Sequence, residues 1–273
     1  MDPKTVVRWL LGDPPPALTP EERADQYSHS YLLMRTCVGV IGILLPIAFI
    51  LGEMFFLQQG FRVRGSISAY FHSQLQDLFV AGLGVVGFVL ATYRSDRSRT
   101  RDFWFSLVGG VAVLGVVFFP TWRSDVPAGA PLCGDPSFPP GCSAIEQWWG
   151  EATTARVHAA CAIVFIASLA LMSFLFARDE LRRKSNRRMQ IFHDVCGVLI
   201  LLAGVWAIVG GAFHVVIGQF TALYTGEVLA IWAFGASWLF KGFHISRILP
   251  RLAPPPRAGG SDAAPPAGDL EKV

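Results

Sequence analysis

The chain has 273 residues, of which 52% are hydrophobic and only 16% are charged, and its formal net charge is +3. With a mean hydropathy of +0.45, it has too few charges to cover the surface of a water-soluble domain of this size, which excludes a soluble enzyme. Apolar blocks of about twenty residues, the length that crosses a bilayer as a helix, alternate with short charged or Pro/Gly-rich stretches. The composition therefore predicts a multi-pass membrane protein.

Residues 1–31 are predicted to form a cytoplasmic N-terminal segment. The apolar run at residues 6–11 is too short for a span or for a cleavable signal peptide, and three prolines follow it at residues 14–16. We expect this run to form a short amphipathic helix on the membrane surface.

Six apolar segments within residues 32–249 predict helices across the membrane. Polar and apolar residues do not alternate in them, so each segment has to satisfy its backbone hydrogen bonds as a helix. The predicted fold is all-α, a polytopic bundle of six transmembrane helices. The spans are expected at residues 36–57, 75–93, 103–119, 157–177, 191–216 and 223–240.

The distribution of basic residues predicts the orientation of this bundle. Nineteen of the twenty-three Lys and Arg residues fall on the side that carries both chain termini. The positive-inside rule places that side in the cytoplasm, so the topology is N-in and C-in in a plasma (inner) membrane. The periplasmic or extracellular side keeps Arg62, Arg64, Arg123 and Arg156.

Two regions outside the spans have their own signatures. The outer loop at residues 120–156 holds Cys133 and Cys142 on the oxidising side, which predicts a disulfide, with two free thiols as the alternative. The tail at residues 250–273 is rich in Pro, Ala and Gly, a composition typical of a disordered cytoplasmic segment.

Ionisable side chains inside spans are costly and are therefore candidates for function. Three imidazoles and up to three carboxylates lie near the outer ends of different helices. Catalytic Zn²⁺ takes three protein ligands of this kind and keeps one open position. The sequence thus predicts a zinc site made by His72, His158, His214 and Asp77, with Glu53 and Glu227 nearby. The alternative is that each imidazole simply hydrogen-bonds a neighbour.

The entry to the second span allows two geometries. Ser73 and Gln76 match a capping box that would start the helix at Gln74 and bring His72 against Asp77. A helix that began near Ser66 would instead turn Asp77 away from His72.

Two resemblances add to these residues. Ser68 and His72, four residues apart before the second span, together with Asp77, His158 and His214, resemble the pattern of the CREST superfamily of membrane hydrolases, which includes alkaline ceramidases and progestin/adiponectin-type receptors. The resemblance implies a zinc ion surrounded by Ser, Asp and three His that hydrolyses lipid amides. That superfamily has seven spans and a paired His-x3-His in the last one, and this chain has neither.

A second resemblance covers more of the chain. Ile67-Ser68, Asp77-x-Phe79, Phe119-Pro120 and His158 are similar to six-span bacterial membrane proteins of the Frag1/DRAM/Sfk1 group. That resemblance implies a role associated with lipid, without a mechanism.

The leading hypothesis is a zinc-dependent hydrolase that cleaves a lipid amide or ester at the outer face. Zinc would activate water and polarise the carbonyl group, a carboxylate would take the proton, and a hydroxyl would donate to the oxyanion. The residues expected in these roles are His72, His158 and His214 for zinc, Asp77 or Glu227 for the proton, Ser68 for the oxyanion, and Arg156 and Arg64 for an anionic group of the lipid.

Two other classes stay open. The first is a non-catalytic protein that binds lipid or scaffolds a partner, in which the same groups form a buried polar network. The second, a transporter, is less favoured because the spans carry almost no ionisable group at mid-depth. No phosphate-binding glycine loop follows a strand, so we expect no nucleotide and no nucleic acid as partner.

Overall fold

The computed structural model describes residues 19–57, 60–93, 100–123, 126–127, 129–134, 136, 139, 141–184 and 186–252. The predicted surface helix at residues 6–11 lies outside this part of the chain, as does nearly all of the predicted tail.

Seven α-helices make up most of the part of the chain that the structure describes. α1 ends in one turn of π-helix, and a short 3₁₀-helix precedes α2. The α-helices are α1 (Pro20–Leu51), α2 (Gln76–Thr92), α3 (Thr100–Phe118), α4 (Ala144–Trp149), α5 (Glu151–Arg183), α6 (Arg187–Ala212) and α7 (Ala222–Leu252). The π-turn covers Gly52–Phe56, the 3₁₀-helix Ser68–His72, and a two-stranded antiparallel hairpin pairs β1 (Val216–Ile217) with β2 (Phe220–Thr221).

Among the described residues, five stretches of helix are long and apolar enough to cross a membrane by length and composition. These stretches are Leu32–Phe56, Arg101–Phe118, Glu151–Arg183, Arg187–Ala212 and Ala222–Gly242, and the apolar helix Gln76–Thr92 is shorter. The chain therefore folds as a helical bundle of the membrane type, as its composition predicts.

The six long helices pack as a closed ring. Going round it, α1, α2, α3, α5, α6 and α7 each contact the next, and α7 returns to α1. Glycines allow three of these contacts to be close. A Cβ atom on Gly235 would lie 3.0 Å from the Gly39 carbonyl oxygen, one on Gly226 would lie 2.6 Å from the Ala203 carbonyl oxygen, and one on Gly110 would overlap the backbone of Ala91. Small residues at helix contacts are typical of membrane bundles.

The capping box predicted at Ser73 is wrong. α2 begins at Gln76, and its N-cap is Leu75. The Ser73 hydroxyl instead donates to the Tyr70 carbonyl oxygen at 2.7 Å and accepts from the Leu75 amide at 3.0 Å, so Ser73 closes the 3₁₀-helix. Asp77 lies exposed on the first turn of α2.

The non-helical part of the outer loop is shorter than predicted, because part of residues 120–156 is helical. α4 lies inside it, and α5 begins at Glu151 rather than at residue 157. The start of α4 has a complete capping box, in which the Ser143 hydroxyl accepts from the Glu146 amide and the Glu146 carboxylate accepts from the Ser143 amide.

Candidate functional site

The bundle has two ends that differ in chemistry. We call the end where α1 finishes and α5 and α7 begin the cavity end, and the end where α1 begins and α5 and α7 finish the basic end. Most of the residues predicted to act together lie at the cavity end.

A buried non-helical segment organises the cavity end. We call residues 60–75 the connecting segment, since they join the π-turn to α2. Six consecutive residues of it, from Ser66 to Phe71, are each at most 7% exposed. A buried loop has to find partners for its backbone groups, because neither water nor lipid supplies them.

Side chains from α7 and from the segment itself supply these partners. The Glu227 carboxylate accepts a hydrogen bond from the Ile67 amide at 2.6 Å, just before the first turn of the 3₁₀-helix. The Thr221 hydroxyl donates to the Gly65 carbonyl oxygen at 2.6 Å, and the Ser66 hydroxyl accepts from the Ala69 amide at 2.9 Å. Glu227, which the sequence predicts as a proton acceptor, therefore has a structural function in fixing the connecting segment to α7.

A cavity of about 340 Å³ lies beside this segment, between α5, α6 and the start of α7. Its polar groups come from the connecting segment, from the stretch that follows α3, and from the N-terminal parts of α5 and α7. They are Ser66, Ser68, Thr121, His158 and Glu227. The remaining wall is apolar and is made by Ala159, Ala162, Ile163, Ile166, Ala167, Leu201, Gly204, Val205, Ala207, Ile208 and Leu223.

The apolar part of the cavity opens to the outside of the bundle. Ile163 on α5 and Val205 and Ile208 on α6 line it, and these side chains are 55%, 57% and 57% exposed. Large apolar side chains that are exposed on the flank of a membrane bundle face lipid. The cavity is thus a lateral cleft with one polar end.

The orientations of two predicted zinc ligands are fixed by backbone carbonyl groups. His158 Nδ1 lies 2.7 Å from the Phe119 carbonyl oxygen, and His72 Nε2 lies 2.7 Å from that of Thr121. A carbonyl oxygen only accepts, so the bonded nitrogen of each ring donates, and in a neutral ring the other nitrogen is an acceptor. Metal-binding histidines are commonly oriented in this way.

The outer loop covers His72. Glu146 Oε1 lies 3.5 Å from His72 Nε2, and both side chains are buried. At the base of the loop the Glu151 carboxylate binds the Arg123 guanidinium at 2.9 Å and the Cys133 amide at 3.3 Å. The predicted disulfide is confirmed, since Cys133 and Cys142 are bonded.

A buried ion pair lies on the other side of the connecting segment. Glu53, on the π-turn, is fully buried, and its Oε1 accepts from Arg64 Nε at 2.6 Å. The Arg64 guanidinium also lies 5.7 Å from the centre of the Tyr70 ring. Arg64 is therefore engaged within the protein, which differs from its predicted role in binding substrate.

Four buried oxygens at the cavity end have no hydrogen-bond partner among the described residues. They are Glu53 Oε2, Tyr70 Oη, Glu146 Oε1 and Tyr224 Oη. Buried polar groups of this kind are usually satisfied by ordered water or by a ligand.

The structure brings only some of the predicted site residues together. Ser68, His158 and Glu227 line one cavity, and His72 is hydrogen-bonded to the backbone of Thr121, which also lines it. His214 is exposed on the turn after α6, and Asp77 is exposed on α2. Within the described part of the chain, no group of three or more His, Cys, Asp or Glu residues is arranged to hold a metal ion.

Sequence reasoning missed a second buried cluster, at the basic end. Lys241 Nζ contacts Asp179 Oδ2 at 2.7 Å and also binds the Glu180 carboxylate, and all three side chains are buried. The Arg35 guanidinium donates to Tyr93 Oη at 2.6 Å and lies between the rings of Phe176 and Trp238, among other contacts. The signal that could have found this cluster is the pair Asp179-Glu180, next to each other at the end of an apolar run.

His193 and Asp194, which are neighbours in the second turn of α6, differ in burial. His193 is fully buried, and a hydrogen bond of 2.8 Å joins its Nδ1 to Ser237 Oγ, whereas Asp194 is half-buried.

Comparison with known proteins gives no assignment: no family model, no curated protein and no solved structure matches this chain. The resemblances to the CREST superfamily and to the Frag1/DRAM/Sfk1 group therefore stay predictions. The chemistry of the site has to be argued from its geometry.

Proposed function

We propose that this protein binds a membrane lipid, with one acyl chain in the lateral cleft and the polar part of the lipid at the cavity end. The observation that carries the proposal is the cleft itself, which is apolar along α5 and α6, open on the flank of the bundle, and polar only where Ser68, His158 and Glu227 meet. A lipid chain that enters from the bilayer needs an opening of this kind, and its polar part needs hydrogen-bonding groups at one end.

The proposal includes six spans with both termini in the cytoplasm. The short helix α2 is the sixth span, because the buried connecting segment at its start covers the remaining depth. The positive-inside rule then places the cavity end outside, where the disulfide of the outer loop is stable in an oxidising compartment.

The topology has a direct test. Gly129→Cys in the outer loop and Lys184→Cys at the basic end are both at exposed positions. We would make them in a chain whose free cysteines, Cys37, Cys161 and Cys196, are replaced by alanine. A membrane-impermeant maleimide added to intact cells should label only Gly129→Cys. Labelling of only Lys184→Cys would show that the orientation is the opposite of the one proposed.

Lipid binding is tested by narrowing the cleft. Ala162 lines the cleft on α5, whereas Ala81 on α2 is exposed and does not line it. We expect the wild type and Ala81→Phe to carry lipid through detergent purification, as measured by native mass spectrometry, and Ala162→Phe to lose most of it. Equal lipid on both variants, or none on the wild type, would contradict the proposal.

A zinc-dependent hydrolase that cleaves a lipid amide or ester is the second proposal. The observation that favours it is the pair His72 and His158, each held by a backbone carbonyl group and each keeping one ring nitrogen as an acceptor. Catalytic zinc sites use three protein ligands, and within the described part of the chain no group of three His, Cys, Asp or Glu residues is arranged to hold a metal ion. The donor set is incomplete, so we derive no reaction step from it.

Elemental mass spectrometry of protein purified without chelators distinguishes the two proposals. Near-stoichiometric zinc that is lost in both His72→Ala and His158→Ala would favour the hydrolase and would justify assays with lipid amides and esters. A protein that holds lipid but no metal would favour the binding protein.

A further inference from the structure

The α5 wall of the cleft continues outward to an arginine. Ile163 and Ala167 line the cleft, and Arg156 precedes them by seven and eleven residues. These separations are close to two and three helical turns, so the three residues form one stripe along α5. Arg156 lies about 10 Å beyond Ile163 along the helix axis, because each residue adds about 1.5 Å. The stripe is thus apolar where Ile163 and Ala167 line the cleft, and cationic beyond the cleft, where Arg156 lies nearer the start of α5.

Arg156 is available to a ligand. Its side chain is exposed, and no hydrogen bond or ion pair to the described residues engages it. The other arginines at this end are engaged within the protein. Arg64 is paired with Glu53, Arg123 is paired with Glu151, and Arg62 also has a partner.

We infer that the lipid in the cleft is an anionic phospholipid whose phosphate binds the Arg156 guanidinium. This inference rests on the proposed function. An arginine fork matches phosphate oxygens in two parallel hydrogen bonds, which a neutral head group does not offer. Hydroxyl and imidazole groups at the polar end, from Ser66, Ser68 and His158, lie where the glycerol ester linkages of such a lipid would follow the phosphate.

The lateral opening favours a lipid with two chains. Three residues that line the cleft are also exposed on the flank of the bundle: Ile163, Val205 and Ile208. One chain can therefore occupy the cleft while the second stays in the bilayer, and the phosphate stays at the interface beside Arg156. A free fatty acid would leave the flank of the cleft uncovered.

The test measures the affinity of purified protein in neutral detergent for three probes: phosphatidylglycerol, phosphatidylcholine and palmitate. Native mass spectrometry titrations give the bound fractions. The variants are Arg156→Gln, which removes the cation, and Arg156→Lys, which keeps it. Arg62→Gln is the matched control, since Arg62 is an exposed arginine at the same end and lies outside the cleft stripe. Ala162→Phe reports on the cleft independently of the cation.

We expect the wild type to prefer phosphatidylglycerol, Arg156→Gln to weaken that binding about tenfold with little change for phosphatidylcholine, and Arg62→Gln to behave as the wild type. Arg156→Lys should recover part of the loss. If Ala162→Phe abolishes binding while Arg156→Gln leaves the preference unchanged, the lipid proposal stands and the inference is wrong. If palmitate competes as well as phosphatidylglycerol, the ligand is a fatty acid and the inference is again wrong. If Ala162→Phe has no effect, the proposed function itself fails.

Discussion

Both ends of the bundle bury charged side chains, but they do so in different ways. At the basic end Lys241 is shared between Asp179 and Glu180, and Arg35 lies among aromatic rings. At the cavity end a backbone segment is buried and a cleft opens on the flank. Buried polar atoms without a hydrogen-bond partner among the described residues occur at both ends, as at Glu53 Oε2 and at Trp238 Nε1.

This difference separates charge that stabilises the fold from polar groups that can serve a ligand. Opposite charges that satisfy each other in a closed core have little left to bind with. Polar groups that are held by backbone amides and carbonyls beside an open cleft keep unused acceptors and donors. The cost of burying them has then to be offset by water or by a bound molecule.

The largest expected effect is at the basic end. Lys241→Met removes the cation shared by Asp179 and Glu180, so that Glu180 loses this partner, and Asp179 loses one of its cations and keeps Arg183. We expect the free energy of unfolding to fall by about 3 to 5 kcal/mol. Thermal unfolding in detergent measures it, with Lys184→Met, at an exposed lysine, as the control. A loss as small as that of the control would mean that the cluster does not stabilise the bundle.

The matched change at the cavity end is Arg64→Met. It leaves a single carboxylate, Glu53, without its cation, and this residue lies next to a segment whose groups already lack partners. We expect a smaller loss, about 1.5 to 3 kcal/mol, measured in the same unfolding assay. A loss larger than that of Lys241→Met would mean that the ion pair at the cavity end, and not the cluster at the basic end, contributes more to the stability of the fold.

The disulfide should contribute a comparable amount. Replacement of Cys133 and Cys142 by serine opens a loop with a sequence separation of 9 residues. Chain-entropy estimates for a loop of this size give about 2 to 3 kcal/mol. The wild type should lose this stability in reducing agent, whereas the double variant should be insensitive to it. Equal sensitivity of the two proteins would contradict the prediction.

The smallest expected effect on stability is that of Glu227→Gln. The amide oxygen can still accept from the Ile67 backbone N–H, so only the added strength of a charged acceptor is lost. We expect a loss of about 1 kcal/mol. Glu227→Leu, which removes the acceptor, should cost more and should loosen the connecting segment, as measured by hydrogen exchange at Ile67. If the two variants lose the same stability, Glu227 does not hold this segment.

Much of the fold could be predicted because it depends on local patterns. The apolar runs predicted the long helices, and the location of Cys133 and Cys142 predicted their disulfide. A local pattern also gave one wrong prediction, because the capping-box spacing occurs at two serines. Ser73 has the capping spacing but closes a 3₁₀-helix, whereas Ser143 and Glu146 have it and form the capping box.

The candidate site was harder to predict because its partners are far apart in the sequence. Glu227 bonds the amide of Ile67, and His158 bonds a carbonyl group at the end of α3. Counting ionisable residues near span ends grouped His158 with His214, which lies exposed on a turn. It also treated Arg35 and Lys241 as basic residues of the inner surface, although both are buried.

The sequence by itself determined that this protein is a helical membrane bundle, because hydropathy and the length of apolar runs act residue by residue and need no partner. Only the tertiary structure decided which polar groups work together. Backbone carbonyl and amide groups of the connecting segment and of the end of α3 have no sequence signature, yet they fix Glu227, His72 and His158 in place. The cleft likewise exists only where α5, α6 and α7 meet, since no single helix encloses a volume.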